Sequence, residues 1–328
     1  MNDGVNNPVL HPDLAAYLDA VDAGRRDGRT QALHTMVPEQ ARRAFESASP
    51  AVREDAAVTT CALSIPTRDG ASIDARLYLP DACAAMTKKP LLLYFHGGGY
   101  TVGSLDSHAA LCRALAARTP CALLAVAYRL APEYLFPTAI DDAVDATFWL
   151  REHTGALGLD PQRIAVGGDS AGGTIATVLS MLAVRERHAV GVDPCLQLLF
   201  YPVTDATCDS ASMELFEQGY LLEGETLRWF HRNYARTEAD YADWRFSPLQ
   251  AGSWRGVAPA FFALAGFDPL YDEGLAYARA LERDGVAVQL RVYADMTHDF
   301  LRMAAIVPEV VERAFEDIAR ALRERFRP

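Results

Sequence analysis

What the chain lacks removes several kinds of function first. It has no surplus of positive charge: 31 Lys and Arg stand against 43 Asp and Glu over 328 residues, a net charge of −12. Such a surface argues against nucleic acid and against an anionic membrane face as partners. No apolar run approaches the ~20 residues needed to cross a bilayer. The opening MNDGVNNPVLHP lacks the basic start and apolar core of a secretory signal, so a cytoplasmic protein is expected. The six cysteines (Cys61, Cys83, Cys112, Cys121, Cys195 and Cys208) never fall in C-x-x-C spacing. Neither a disulfide framework nor a metal site is expected from them. There is no G-x-G-x-x-G and no phosphate loop, so nucleotide chemistry is unsupported. Internal repeats and low-complexity segments are also missing. What is present, 50% hydrophobic residues over 328 positions, is enough for one large α/β domain, alone or with a lid.

Along the chain, residues 1–50 read as helical. Leu14, Tyr17, Leu18 and Val21 form a stripe at helical spacing that breaks at Gly24 and Gly28, and a second helix over 30–48 is kinked or restarted at Pro38. Between 57 and 80 the period changes to two. Cys61, Leu63 and Ile65, then Ile73, Ala75, Leu77 and Leu79, alternate around the turn Arg68-Asp69-Gly70, which predicts an antiparallel hairpin. Six continuous apolar strands follow, at Leu91–Phe95, Cys121–Tyr128, Arg163–Gly167, Leu196–Tyr201, Ala260–Ala265 and Val286–Tyr293. Most are separated by helical segments, the pattern of a parallel sheet covered on both faces. Val311, Phe315, Ile318 and Leu322 mark a closing helix from near Pro308. One interval is too long for a crossover. Residues 204–250 hold two helical patterns, Met213–Phe216–Tyr220 and Leu227–Phe230–Tyr234, and read as an inserted lid. The expected division is 1–50 as N-terminal cap helices, 51–203 with 251–328 as the catalytic core, and 204–250 as the cap insertion.

The chemistry centres on Gly168-Asp169-Ser170-Ala171-Gly172. Ile164-Ala165-Val166 leads into it, and Ile175, Val178, Leu179 and Leu182 follow at helical spacing. Strand, sharp turn and helix with Ser at the apex form a nucleophile elbow, in which a side chain at 168 or 172 would clash. G-x-S-x-G alone arises by chance about one time in ten in a chain this long, so partners must be found. A serine hydroxyl needs a His to take its proton and an acid to orient that His, in the chain order Ser, acid, His. Of eight His, only His231 and His298 lie well downstream on a new element; His231 falls inside a lid helix, and His298 follows the last strand. For the acid, Asp268, Asp272 and Glu273 follow the fifth of the six strands. Asp268 is nearest the sheet edge and is preferred, with Asp272 in reserve. The run His96-Gly97-Gly98-Gly99-Tyr100 suits an oxyanion hole, with the N–H groups of Gly97, Gly98 and Ala171 as expected donors and His96 as a brace. The expected pocket is apolar, lined by Tyr100, Tyr220, Leu221, Phe230 and Phe300.

Together these segments, with Tyr128-Arg129-Leu130-Ala131-Pro132-Glu133, Asp268-Pro269-Leu270-Tyr271-Asp272-Glu273 and Thr297-His298, resemble the bacterial hormone-sensitive-lipase-like esterases (family IV) over nearly the whole chain. The resemblance implies an α/β-hydrolase core under a helical cap. It implies hydrolysis of short- to medium-chain acyl esters without a cofactor, often by homodimers. It casts Ser170 as nucleophile, His298 as base, Asp268 as orienting acid, and Gly97, Gly98 and Ala171 as oxyanion donors. The last strand offers a sheet edge as a dimer surface. Two departures stand out. Asp295 and Asp299 replace glycines that usually flank the His segment, and Asp299 either raises the His pKa or redirects the loop. Thr174 stands where Asn is usual. The Tyr128–Glu133 segment reads as a rigid turn, with Ala131-Pro132 or Phe136-Pro137 cis. Rival readings are an amidase, lactonase or peptidase with the same triad, or a non-catalytic ligand-binding protein on this fold.

Overall fold

The computed structural model describes residues 9–49, 57–186, 188–207 and 209–327. The expected boundary at 50/51 and the thiol of Cys208 lie outside them. Eight strands form one sheet: β1 (Val58–Pro66), β2 (Ser72–Pro80), β3 (Lys89–Phe95), β4 (Ala122–Val126), β5 (Leu159–Asp169), β6 (Leu196–Phe200), β7 (Ala260–Phe267) and β8 (Val288–Thr297). Their order is β1-β2-β4-β3-β5-β6-β7-β8. The hairpin is antiparallel, with Ile65 opposite Ile73. β2 also runs antiparallel to β4, and every other pairing is parallel.

The interior strands are apolar throughout because helices cover both faces. Leu91, Leu93 and Phe95 point toward α4 (Thr138–His153), α5 (Ala171–Arg185) and α8 (Tyr271–Arg283). Leu92 and Tyr94 point the other way, toward α3 (Ala109–Arg118) and α9 (Pro308–Arg325). The period-two alternation of a strand thus serves two cores at once.

Before the sheet come α1 (Pro12–Arg26) and α2 (Pro38–Ser47), and Pro38 opens α2 at its first turn. Between β6 and β7 lie α6 (Ala211–Leu215) and α7 (Gly224–Tyr234). The expected helix through Met213, Phe216 and Tyr220 is shorter than its pattern. α6 stops at Leu215, and the chain turns through Gly219 and Leu221, both at positive φ. Phe216 and Tyr220 then pack their rings on Phe267 at the end of β7. A third apolar cluster, above the sheet, gathers Ala41 of α2, Leu227 and Phe230 of α7, and Val102, Val203 and Leu270 of the core loops. The peptide bonds before Pro132 and Pro137 are both cis.

β7 and β8 run further than the sequence pattern, and this places the site. Val286 is in the turn rather than the strand, bonded to Leu281 O, and β8 continues past Tyr293 to Thr297. The pairing passes from Ala265–Tyr293 to Phe267–Thr297, so β8 carries extra residues in a bulge. A Cβ on Gly266 would sit 2.2 Å from Ala294 O, so the bulge requires glycine there. Phe267 and Thr297 end up opposite one another, and the next residue on each strand is Asp268 and His298.

Candidate active site

The elbow forms as its glycines require. β5 ends at Asp169, Ser170 turns with φ +52 and ψ −121, and α5 begins at Ala171. A Cβ on Gly168 would lie 2.3 Å from Phe95 O, and one on Gly172 2.0 Å from the same oxygen. Backbone of β3 and of the elbow are therefore in direct contact, and the turn holds Ser170 in a conformation rare for a residue with a side chain. The Ser170 N–H is tied to Phe200 O at 2.9 Å.

His298 Nδ1 donates to Asp268 Oδ2 at 2.7 Å, and Asp268 Oδ1 accepts from the Leu270 N–H at 2.9 Å. Both side chains are buried. The tautomer with the proton on Nδ1 leaves Nε2 free to accept a proton. Burial by itself would lower the His298 pKa. The charge of Asp268 and its hydrogen bond, followed by the charges of Asp299 and Asp169, outweigh that and raise it above 6.5. Ser170 and His298 share one cavity wall but are not hydrogen-bonded to each other, as is common without substrate.

Asp272, the reserve acid, is turned elsewhere. Its Oδ2 accepts from the Ser212 N–H at 2.9 Å, binding α6 to the start of α8. Glu273 accepts from the Thr204 N–H at 2.6 Å and the Asp205 N–H at 3.2 Å, and burial pushes its carboxyl up to about 8. Beyond favouring a helix N-terminus, both carboxylates fasten the chain that leaves β6.

The glycine loop meets the cavity one residue later than the expected donors. Gly98 and Gly99 border the cavity with Ser170, and Gly97 does not. A Cβ on Gly97 would lie 2.3 Å from Asp169 Oδ2, so this glycine faces a buried carboxylate. Among the described residues, nothing accepts a hydrogen bond from the N–H of Gly97, Gly98, Gly99 or Ala171. His96 acts as the expected brace: Nδ1 bonds Gly97 O at 2.7 Å, and the ring stacks on Tyr128, whose hydroxyl donates to His96 O at 2.7 Å. Burial, then repulsion from His108, pulls its pKa down to about 3. The Tyr128–Glu133 turn is also anchored from α2. Arg42 donates to Thr101 O at 2.9 Å and Ala131 O at 2.7 Å, and pairs with Glu133.

The cavity has a volume of about 370 Å³. Tyr100, Leu221 and Phe230 line it as expected. Tyr220 and Phe300 do not: Tyr220 stacks on Phe267, and Phe300 is fully buried against Tyr201 and Tyr293. Further walls come from Tyr17 of α1, Phe45 of α2, His231 of α7 and Arg302. A Cβ on Gly99 would lie 2.1 Å from the Phe230 ring, so α7 rests directly on the glycine loop.

Two acidic residues beside these groups take partners that the motifs did not indicate. Asp169 accepts from the Tyr94 hydroxyl and meets His108 Nε2 at 3.2 Å. Burial opposes its ionisation, but His108, Tyr94 and Arg302 hold its pKa below the usual carboxylate range. Asp299 takes a left-handed conformation, φ +66, which suits glycine and which Asp tolerates. Its carboxylate pairs with Arg302 Nη1 at 2.6 Å. Asp299 therefore keeps the loop path that glycine would take and still adds charge beside His298. Its i, i+3 spacing from Arg302 was the available signal.

A family model described as the alpha/beta hydrolase fold matches residues 92–302. The chain belongs to the α/β-hydrolase family. Within it, the motifs place this hydrolase in the hormone-sensitive-lipase-like branch. It is 48% identical to an ethyl acetate hydrolase of Pseudomonas putida over 305 residues, covering 92% of this chain and 95% of that one. It is also 48% identical to a carboxylic ester hydrolase of Mycobacterium tuberculosis over 244 residues, covering 74% of this chain and 64% of the relative. Among solved structures, a thermostable esterase from Pseudomonas putida superposes with a TM-score of 0.88 at 32% identity, covering 98% of this chain and 99% of the other. Among the described residues, no helix is long and apolar enough to cross a membrane.

Proposed function

We propose that this carboxylic ester hydrolase cleaves short- to medium-chain acyl esters through an acyl-enzyme formed on Ser170. The hydrogen bond from His298 to Asp268, on the cavity wall that also carries Ser170, is the observation that supports this reading most directly. Ser170 Oγ attacks the ester carbonyl carbon as its proton passes to His298 Nε2. The tetrahedral oxyanion accepts from the N–H groups of Gly98, Gly99 and Ala171, which takes Gly99 in place of Gly97. Each such donor contributes about 3–4 kcal/mol in the transition state. The carbon–alkoxy bond breaks, and His298 gives its proton to the leaving alcohol. Water then yields a proton to His298 and attacks the acyl carbon, and Ser170 leaves with that proton restored. Asp268 fixes the imidazole tautomer throughout.

The division into core and cap is part of the proposal. Residues 1–50 and 204–250 form the cap in this reading, supported by the bond between His34 Nδ1 and Thr226 Oγ1 at 2.9 Å and by the pair of Arg25 with Glu223. The relatives' activity on small esters, and an apolar cavity closed by Leu221, Leu227 and Phe230, favour a small acyl chain. β8 is the last strand of the sheet, so its outer edge is the proposed homodimer surface, which sedimentation at two protein concentrations tests.

Ser170→Ala should stay folded and lose at least about 10³-fold of the rate on p-nitrophenyl acetate. Parental turnover by the folded variant would refute the mechanism. A p-nitrophenyl series from acetate to palmitate should peak at short or medium chains, and a matched ester and amide pair separates an esterase from an amidase.

A further inference from the structure

The cavity wall contains few polar side chains, and most have partners. Asp299 and Arg302 neutralise each other at 2.6 Å. Asp169 is held by Tyr94 and His108. The Thr226 hydroxyl is bonded to His34 at 2.9 Å. Ser170 and His298 carry the proposed chemistry. His231 remains. It projects from α7 one helical turn beyond Leu227, another residue of the wall, and its ring is flanked by Tyr241 at 5.8 Å and Phe246 at 5.7 Å between centroids. Among the described residues its ring nitrogens have no hydrogen-bond partner. His231 is half-buried, and its ring nitrogens are not among the polar atoms sealed from solvent, so a ligand in the cavity can supply the hydrogen bonds they lack.

We propose that His231 is a specificity residue that hydrogen-bonds the substrate, and that the preferred ester carries a hydroxyl or carbonyl oxygen away from its scissile carbonyl. This rests on the reading of Ser170 as the nucleophile of the same cavity. Burial lowers the His231 pKa to about 4, so the ring is neutral near pH 7. A neutral imidazole offers one N–H donor and one acceptor nitrogen, which together match a hydroxyl, and the donor alone matches a carbonyl. Sites built around a substrate hydroxyl discriminate against the analogue lacking it more sharply than apolar pockets sort chain lengths.

The test compares matched esters in which hydroxyl replaces methyl. On the alcohol side the pair is 2-hydroxyethyl and propyl butanoate; on the acyl side it is ethyl 3-hydroxybutanoate and ethyl 3-methylbutanoate. For each pair the readout is the ratio of kcat/KM, hydroxylated over methylated, by pH-stat titration of the acid released. Such a ratio is independent of the fraction of enzyme that folds. In His231→Phe it should fall about tenfold in at least one pair, mainly through KM of the hydroxylated ester, and His231→Gln, which keeps a donor and an acceptor, should retain more of it than the Phe variant does. The pair that responds tells which side of the ester His231 meets. A ratio within twofold of the parent's for both pairs in His231→Phe overturns the proposal. Turnover of the methylated esters by the parent protein reports separately on the Ser170 reading, so the two fail distinguishably.

Discussion

Arg42 offers the sharpest test of how the N-terminal helices serve the site. Its guanidinium reaches from α2 to the carbonyls of Thr101 and Ala131, two residues with no solvent exposure, and to Glu133, whose side chain is 54% exposed. Among the described residues no other donor reaches either carbonyl. Hydrogen bonds to a charged group contribute about 1.5–3 kcal/mol each, and the exposed ion pair about 0–1 kcal/mol. Arg42→Met should therefore destabilise the docked α2 by about 3–7 kcal/mol, less whatever water recovers by reaching the freed carbonyls. Thr101 closes the glycine turn, since its N–H and that of Val102 both bond Gly98 O. Loosening it displaces the proposed oxyanion donors, and a misplacement of about 1 Å costs on the order of 10²-fold in rate. The variant should lose about 10- to 100-fold in kcat with a smaller change in KM, and its urea midpoint should fall. Arg42→Lys, with a point charge able to reach one carbonyl, should recover part of both. Parental kcat together with a parental midpoint in Arg42→Met would refute the reasoning.

Two further predictions concern charge. His298 must be neutral to accept the Ser170 proton, and its pKa is raised, so activity is lost as pH falls through a value above 6.5. Asp299→Asn keeps a residue that tolerates the left-handed backbone but removes one of the raising charges, so the acid limb of kcat/KM should move to lower pH; an unmoved limb, or one displaced upward, contradicts the assignment. Glu273 has a folded pKa of about 8 against an ordinary value of 4.5. A carboxyl raised in this way favours folding fully below 4.5, and that contribution is lost as pH rises toward 8. Glu273→Gln should therefore show a flatter fall of unfolding midpoint between pH 5 and 8 than the parent, and identical slopes would show that burial does not control this carboxyl.

Much of this site was legible because its requirements are local. A strand, a Ser between two glycines and an apolar helix form an elbow wherever they occur, and the structure gives the steric reason: positions 168 and 172 each leave less than 2.5 Å to Phe95 O. The alternation over 57–80 fixed the hairpin for a similarly local reason. The proposed choice of Gly99 over Gly97 could not be read, because three consecutive glycines carry no register. The difference is set by Asp169, from another strand, which occupies the space beside Gly97. The length of α6 was misread because Phe216 and Tyr220 keep helical spacing while packing on Phe267, so a tertiary contact imitated a periodicity. His231 presented the opposite difficulty: its helical setting argued against a general base, but said nothing of what an unpartnered imidazole on that face would meet.

The alignment of Asp268 with His298 shows how a long-range geometry can depend on one small residue. The two lie 30 positions apart on neighbouring strands and meet at 2.7 Å only because β8 inserts extra residues between its pairs with Ala265 and Phe267. That insertion brings Ala294 O against Gly266, where no Cβ fits. Without the bulge, β8 would keep the offset set by Ala265 and Tyr293, and Phe267 would face Asp295. Asp268 would then stand beside Met296, and His298 would lie two residues beyond the acid. The bulge also fixes what Asp299 must do, since the chain has to turn away from the sheet immediately after His298, and the left-handed conformation of Asp299 makes that turn. In this chain the turning residue carries a charge, and Arg302 is buried beneath it as its partner. Arg302 in turn bonds Ser49 at 2.7 Å and lies over the Phe45 ring at 4.3 Å. The loop of the proposed base and the glycine loop, which Arg42 holds, are thus both fastened to the segment formed by α2 and the two residues after it. Substitutions in that segment should therefore act on kcat through both loops, beyond any effect on the shape of the cavity they enclose.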